Sequence, residues 1–355
     1  MTIWILPIEG HEQRYTGQWL HHLPVQLAQA AAARGVPASV IQIEGEIPPP
    51  VPLAGAFLDF AGTNIFKSTQ IAEVARRYQR GEVQPGDTFL ITDAWHPGVH
   101  QIRYMSALLR ISVRVIGLFH AGHYDPNDFL GRIAPRDVTW AKAMERALFE
   151  AYDVSVFATH AHAELFRAGL SAAADDPRVA VCGWPMEYLA AELQPHHGQP
   201  KENIVLFPHR LAPEKQPKIF KDLARSFPEW QFLACQETAL AKRDYHDLLA
   251  RSRVVFSCSL QETLGIGCYE GVLAGAVPVV PDRLSYREMY PEEFRYPAEW
   301  TTSWEAYERH KPPLVAHLSA VLDRVVSGGY SLTACEQRLS RFFSGSDLYD
   351  RVLAA

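Results

Sequence analysis

Short apolar runs of strand length alternate with helical stretches along this chain, and the alternation breaks off once and then restarts. Ile3–Leu6, Val40–Ile43, Thr88–Ile91, Val113–Phe119, Val154–Phe157 and Val179–Val181 read as strands in the first half, and 203–207, 230–234, 253–258 and Val277–Pro281 in the second. Continuous apolar runs of this length suit strands buried on both faces, as in a parallel sheet covered by helices. Helical periodicity fills the intervals, for example over Trp140–Ala151, 214–226, 242–250 and about 265–275, so the class is α/β. The interruption, Gln194-Pro-His-His-Gly-Gln-Pro200, is polar and rich in chain breakers. The expected organisation is an N-terminal Rossmann-like domain over 1–190, a linker at 191–202, a second Rossmann-like domain over 203–332, and a helical segment, 333–355, whose domain the pattern leaves open. A chain of 355 residues exceeds one typical core, which agrees with two domains.

The formal charge of −6 argues against a protein coated in positive potential, while leaving room for a local basic groove. The five cysteines form no CxxC pair and sit mostly in apolar sequence, so reduced core thiols are expected, not a disulfide or zinc framework. No run approaches the roughly 20 apolar residues that span a bilayer. The expectation is a soluble, cytoplasmic protein (in the host cytoplasm if phage-encoded) with no stable membrane insertion. Oligomeric state is not readable from the chain.

Two segments of the second half carry chemistry. Pro208-His-Arg-Leu-Ala-Pro-Glu-Lys215 follows a strand and places Arg210 and Lys215 in the turn entering the next helix. Cations there are mildly unfavourable for the helix, unless an anion sits over the same amides. A planar guanidinium and a mobile ammonium suit two adjacent phosphates; solvated cations on a surface loop are the plainer reading. Glu262-Thr-Leu-Gly-Ile-Gly-Cys-Tyr-Glu270 follows another strand and sets two carboxylates eight residues apart around Gly265 and Gly267. A carboxylate can accept two hydroxyls at once, so Glu270 can clamp a ribose diol while Glu262 meets a sugar. A surface salt bridge is the alternative for Glu270, although Cys268, Tyr269, Val272 and Leu273 flank it with apolar neighbours. Cations at one strand exit and carboxylates at another suit a nucleotide sugar.

On these residues the chain resembles the retaining GT-B glycosyltransferases with an E-x7-E signature. The signature reads Glu262 to Glu270, followed by Gly271–Gly275 and Val277-Pro-Val-Val280, and the phosphate-binding segment reads His209-Arg-Leu-Ala-Pro-Glu-Lys215. The resemblance implies a GT-B fold, two Rossmann-like domains facing a central cleft. It implies that Arg210 and Lys215 hold the donor diphosphate, that Gly265 and Glu270 bind the nucleoside part, and that Glu262 orients the transferred sugar. It implies a histidine at the end of an N-domain strand touching the sugar: His120 matches, with His123 as the alternative occupant and a structural histidine as the plainer reading. The donor would be a UDP-sugar or GDP-sugar, with no cofactor and no metal, because no DxD-like pair sits at a strand end. Retention in this fold resembles same-face attack in which the donor phosphate helps deprotonate the acceptor, so no protein nucleophile is assigned. Two departures stand out. The first strand leads into Pro7-Ile-Glu-Gly-His-Glu-Gln-Arg-Tyr15 where the family has a glycine-rich loop, leaving Gly10 for close approach, and Gly271 stands where alanine is common.

The acceptor side falls to the first half. Residues 94–124 hold no Asp or Glu but include Arg103, Arg110, Arg114 and four histidines, and a helix over 101–111 would bring these arginines broadly to one side. Arg14, Tyr15 and Trp19 offer a cation and stacking rings of the kind that hold an extruded base. Asp93 and His96 follow the third strand. The opening segment is faintly similar to phage-type glycosyltransferases acting on hydroxymethylated DNA bases, so DNA is one acceptor class. A cell-envelope glycan and a small metabolite are the others. A non-catalytic nucleotide-sugar-binding or scaffolding protein is the competing class, hinted at only by Gly271. A dinucleotide oxidoreductase would want Gly-x-Gly-x-x-Gly after the first strand, which is absent.

Overall fold

The computed structural model describes residues 1–10, 15–48, 59–133, 138–237 and 240–354. The chain forms two compact units: residues 1–158, 163–185 and 345–355 make the first, and residues 159–162 and 186–344 the second.

In the first unit, strands β1 (Thr2–Leu6), β2 (Ser39–Gln42), β3 (Thr88–Ile91), β4 (Arg114–Leu118), β5 (Val154–Phe157) and β6 (Val179–Val181) form one sheet in the order β2-β1-β3-β4-β5-β6. Every pairing is parallel. Parallel neighbours need crossovers, and helices such as Tyr15–Ala33, Phe60–Gln79, Val99–Leu109 and Val138–Ala151 supply them. The apolar strand runs are buried as their composition requires, and Trp4, Phe89, Phe119, Phe149 and Tyr152 fill the space beside them.

The second unit repeats the scheme. Strands β7 (Glu202–Phe207), β8 (Gln231–Ala234), β9 (Ser252–Phe256), β10 (Val277–Pro281) and β11 (Arg295–Tyr296) lie in the order β11-β10-β9-β7-β8, all parallel. β7 has β8 on one side and β9 on the other, so the direction of winding reverses between β7 and β9. Ligands of open α/β sheets bind at such a switch point, beyond the carboxyl ends of the strands. The loops leaving β7 and β9 are the two segments singled out by the sequence. Sheet order therefore makes neighbours of stretches some fifty residues apart in the chain.

The described boundaries differ from the sequence expectation in two places. The second unit begins at Met186, so 191–202 lies within it. The breaker-rich run folds as helix Tyr188–Leu193 and a 3-10 turn Gln194–His196, and His196 Nδ1 lies 2.8 Å from Asp247 Oδ1 on that unit's own helix. Breakers here mark a largely exposed turn. The terminal segment divides: helix Thr333–Ser340 belongs to the second unit, and helix Ser346–Leu353 to the first. Arg34 Nε meets Asp350 Oδ1 at 2.5 Å, and Arg114 Nη1 donates to the carbonyls of Arg351 (2.5 Å) and Ala354 (2.9 Å), tying that last helix down. Among the described residues no helix is long and apolar enough to cross a membrane.

Candidate active site

The loop leaving β7 turns through a 3-10 element, Pro213–Lys215, which buries Lys215. Its Nζ donates to the Gln261 carbonyl and lies 3.0 Å from Glu262 Oε2. The other oxygen, Glu262 Oε1, accepts from the backbone N–H groups of Thr263 (3.2 Å) and Gly265 (3.0 Å). Burial alone would push the Glu262 carboxyl up, but the Lys215 charge and these hydrogen bonds outweigh it and bring the pKa down to about 2. His209 stands 4.0 Å from the same carboxylate, and burial together with Lys215 lowers its imidazole to about 3, so it is neutral at pH 7. Lys215 is thus the cation that balances Glu262. Arg210 Nη2 lies 2.5 Å from the buried Glu214 Oε1.

Gly265 caps helix Ile266–Leu273 with φ +72°, a left-handed conformation natural to glycine. Two further glycines on that helix allow close packing. A Cβ at Gly267 would fall 2.7 Å from the Pro208 carbonyl oxygen, so this residue lets the second motif approach the first. A Cβ at Gly271 would fall 2.5 Å from Val255 Cγ1 on β9, so the glycine found there has a packing reason of its own.

Glu270 lies on the inner side of this helix, 8% exposed, and Tyr245 donates its hydroxyl to Glu270 Oε2 at 2.7 Å. Burial raises its carboxyl to about 7, against the pull of Tyr245 and Lys242. All four C-terminal candidates (Arg210, Lys215, Glu262, Glu270) therefore belong to the ends of β7 and β9 and the helix that follows β9. Every cation and carboxylate among them has a protein partner.

In the first unit Gly10 follows β1, Asp93 and His96 follow β3, and His120 and His123 follow β4, while Arg103 lies on helix Val99–Leu109. Asp93 Oδ2 meets Lys67 Nζ at 2.5 Å, and Asp93 Oδ1 accepts from Trp95 N–H at 3.1 Å. Burial opposes this charge, yet Lys67 holds the carboxyl below the usual range. His120 donates Nε2–H to the Thr92 carbonyl at 2.6 Å, and its ring lies 5.5 Å from that of Trp19 and 5.1 Å from that of Trp184. Burial depresses its pKa against the opposing influence of Asp93. His123 Nδ1 stands 4.0 Å from Glu145, a carboxyl that burial raises to about 7.

Several acceptor-side candidates are engaged within the unit itself. His96 is 2% exposed; Gly98 N–H donates to its Nδ1 (3.1 Å), so Nε2–H points to Gln70 Oε1 (3.2 Å). Gln70 in turn donates to the carbonyls of Pro7 and Ile43, tying three strand exits together. Arg103 donates to the carbonyls of Ala151 (2.6 Å) and Val113 (3.3 Å) and meets Asp153 at 2.7 Å. Arg110 is the left-handed cap of helix Val99–Leu109, and Arg114 opens β4, so the three arginines do not share one helix face. Trp19 is 2% exposed. A Cβ at Gly10 would fall 2.3 Å from Leu20 Cδ1, so the first loop runs close over its own helix. Arg14 and the side chain of Tyr15 lie outside the described residues.

Sequence reasoning passed over His209, Glu214, Lys67 and Tyr245. Glu214 was readable, since it stands four residues after Arg210. Tyr245 and Lys67 carry no local signal, because each meets its carboxylate across more than twenty residues of chain.

No protein-family model matches the chain. Among solved structures it is similar to the sucrose-phosphate synthase of Thermosynechococcus elongatus (TM-score 0.64, 16% identity, covering 99% of this chain and 96% of that one). It is also similar to the catalytic domain of starch synthase IV from Arabidopsis thaliana, bound to ADP and acarbose (TM-score 0.60, 10% identity, 100% and 99% covered). A third is the pneumococcal O-GlcNAc transferase GtfA, in complex with UDP and GlcNAc (TM-score 0.60, 10% identity, 100% and 99% covered). Likeness over the full length at such low identity establishes the fold: two parallel-sheet, Rossmann-like α/β domains of the GT-B glycosyltransferase architecture.

Proposed function

We propose that this protein is a retaining glycosyltransferase that moves a sugar from a UDP-sugar or GDP-sugar to a hydroxyl-bearing acceptor. The observation that carries the reading is the buried Lys215–Glu262 pair, 3.0 Å apart at the switch point of the second sheet, with Arg210 and Glu270 on the same two strand exits. In this reading Lys215 and Arg210 bind the diphosphate and stabilise the negative charge that grows on it as the glycosidic bond breaks. The mouth of helix Ile266–Leu273 adds N–H groups to the same task. Glu270 accepts the ribose hydroxyls, and Glu262 with the adjacent backbone orients the sugar. The departing phosphate takes the proton of the attacking hydroxyl on the same face, so the reaction needs no protein nucleophile. With two cations serving the leaving group, transfer is expected to survive chelation. His120, its tautomer set by Thr92, is the proposed first-unit contributor, and His120→Ala should lower turnover. Similarity to a starch synthase bound to ADP and acarbose supports a carbohydrate hydroxyl as acceptor. Three of the features that suggested a nucleic acid, Arg103, Arg114 and Trp19, are already used within the first unit.

The test is incubation with labelled UDP-glucose and GDP-mannose against separate pools of small sugars, glycans, hydroxymethylated DNA and ordinary DNA, with and without EDTA. Label entering a carbohydrate pool in both conditions is the expected result. Label entering only hydroxymethylated DNA would replace the acceptor, and tight nucleotide binding with no transfer to any pool would favour a binding protein.

A further inference from the structure

Gln216 follows Lys215 directly and has a left-handed backbone, φ 57°, without being glycine. Side chains other than glycine, asparagine and aspartate seldom hold this conformation, and where they do the surroundings must enforce it. The enforcing contacts are on the page. Gln216 Nε2 donates to the carbonyls of Cys258 (2.6 Å) and Thr301 (2.7 Å). Arg283 donates Nη2 to the same two carbonyls, at 2.8 and 3.1 Å, and reaches Ser259 O through Nε and Ala298 O through Nη1, each at 2.8 Å. Cys258, Ser259 and Thr301 are fully buried, so these carbonyls depend on protein donors.

The same knot reaches both donor loops. Leu260 N–H donates to the Glu214 carbonyl at 2.7 Å, and Cys258 Sγ lies 3.4 Å from the Lys215 carbonyl it donates to. Burial pushes the Cys258 thiol up to about 12, so it keeps its proton and remains a donor. Residues 214–216 are therefore stitched to residues 258–261, immediately before Glu262. We propose that Gln216 and Arg283 are positioning residues, whose shared hold on the Cys258 and Thr301 carbonyls fixes the Lys215 ammonium against the Glu262 loop, where the donor diphosphate binds. This rests on the donor reading above. A strained residue beside the phosphate-binding lysine, held by a side chain that bonds only the opposing loop and its neighbour, is what fixing that lysine requires.

The experiment is titration calorimetry of the full chain with UDP and uridine, and in parallel with GDP and guanosine, for the wild type, Gln216→Gly and Gln216→Asn. Glycine adopts the left-handed backbone freely, and asparagine tolerates it with an amide too short to span the knot, so both variants are expected to fold. Displacing Lys215 should weaken the diphosphate about tenfold, near the worth of one ordinary hydrogen bond, while leaving the nucleoside affinity unchanged. Diphosphate and nucleoside weakened by the same factor, or diphosphate unaffected, overturns the positioning role while the donor reading stands. A wild type that binds neither diphosphate overturns the donor reading, and this inference falls with it.

Discussion

Both units pair cations with carboxylates and carbonyls around the ends of parallel strands, but at different places in the sheet: Lys67, Lys215 and Arg210 at carboxyl ends, Arg103 and Arg114 at amino ends. In the second, Lys215 is divided between Glu262 and the Gln261 carbonyl and Arg210 meets Glu214, on the loops leaving β7 and β9 at a switch point. In the first, Lys67 is divided between Asp93 and the Trp95 carbonyl, Arg103 between two carbonyls and Asp153, and Arg114 caps the last helix. A stretch without carboxylates, residues 94–124, looks cationic when counted. It is less so in space, because carbonyls and an aspartate from other elements meet Arg103 and Arg114. Position in the sheet, not the local charge count, separates the two groups of cations.

The largest expected effect breaks the second unit's side of this comparison. Lys215→Ala leaves Glu262 buried without its ammonium, which should lower folding stability by about 3–5 kcal/mol in urea unfolding. The same change should cost about 1.5–3 kcal/mol of UDP affinity. Stability lost with affinity kept would make the pair purely structural.

Glu270→Gln should act in opposite directions on folding and binding. Glu270 has its pKa raised from the ordinary carboxylate value of 4.5 to about 7, so its charge opposes folding, and stability drains away as pH rises from about 4.5 through 7. Glutamine removes that dependence and can still accept from Tyr245. The variant should therefore be more stable than wild type by about 2–3 kcal/mol at pH 8, with the gap closing below pH 5. Nucleotide affinity should fall, because the acceptor for the ribose hydroxyls is weakened. Equal pH profiles for the two proteins would place Glu270 in a more solvated setting than its burial indicates.

Gly271→Ala should destabilise by about 1–3 kcal/mol, because the added methyl meets Val255 on β9 at 2.5 Å. A neutral result would mean that the helix and β9 can move apart, and would reopen Gly271 as a departure without a packing reason. The smallest effect belongs to the first unit. Arg103→Ala should cost about 1–2 kcal/mol of stability and leave the salt dependence of any DNA association unchanged. A lost salt slope in a stably folded variant would return Arg103 to the acceptor surface.

Ten of the eleven strands and the two charged motifs were legible because each is local, a short apolar run or charges at fixed spacing after it, whereas the two-residue β11 is too short to announce itself. The sequence placed the two motifs at neighbouring strand exits but did not announce that Lys215 meets Glu262, a contact for which the sheet order β9-β7-β8 supplies the physical reason. The acceptor side was less legible because its partners are distant. Nothing near Trp19 announces that His120 and Trp184 bury its ring, and nothing near Arg103 announces the carbonyl of Ala151. The terminal helix shows its amphipathic pattern, but its partners Arg34 and Arg114 are more than two hundred residues away. Gln216 reads as an unremarkable polar residue until its backbone angle is known.

The central claim is that the ends of β7 and β9 form a nucleotide-diphosphate site, and its most direct test is thermal unfolding of the purified chain with UDP, GDP, ADP and NAD in turn. At a hundredfold excess over Kd a ligand of the native state adds about 2.7 kcal/mol, a readily measured rise in Tm. Such a rise is expected with UDP or GDP and none with NAD, and at the same ligand concentration Lys215→Ala should keep at most about half of the added stability. No response to any diphosphate, or a response to NAD that survives Lys215→Ala, would contradict the claim.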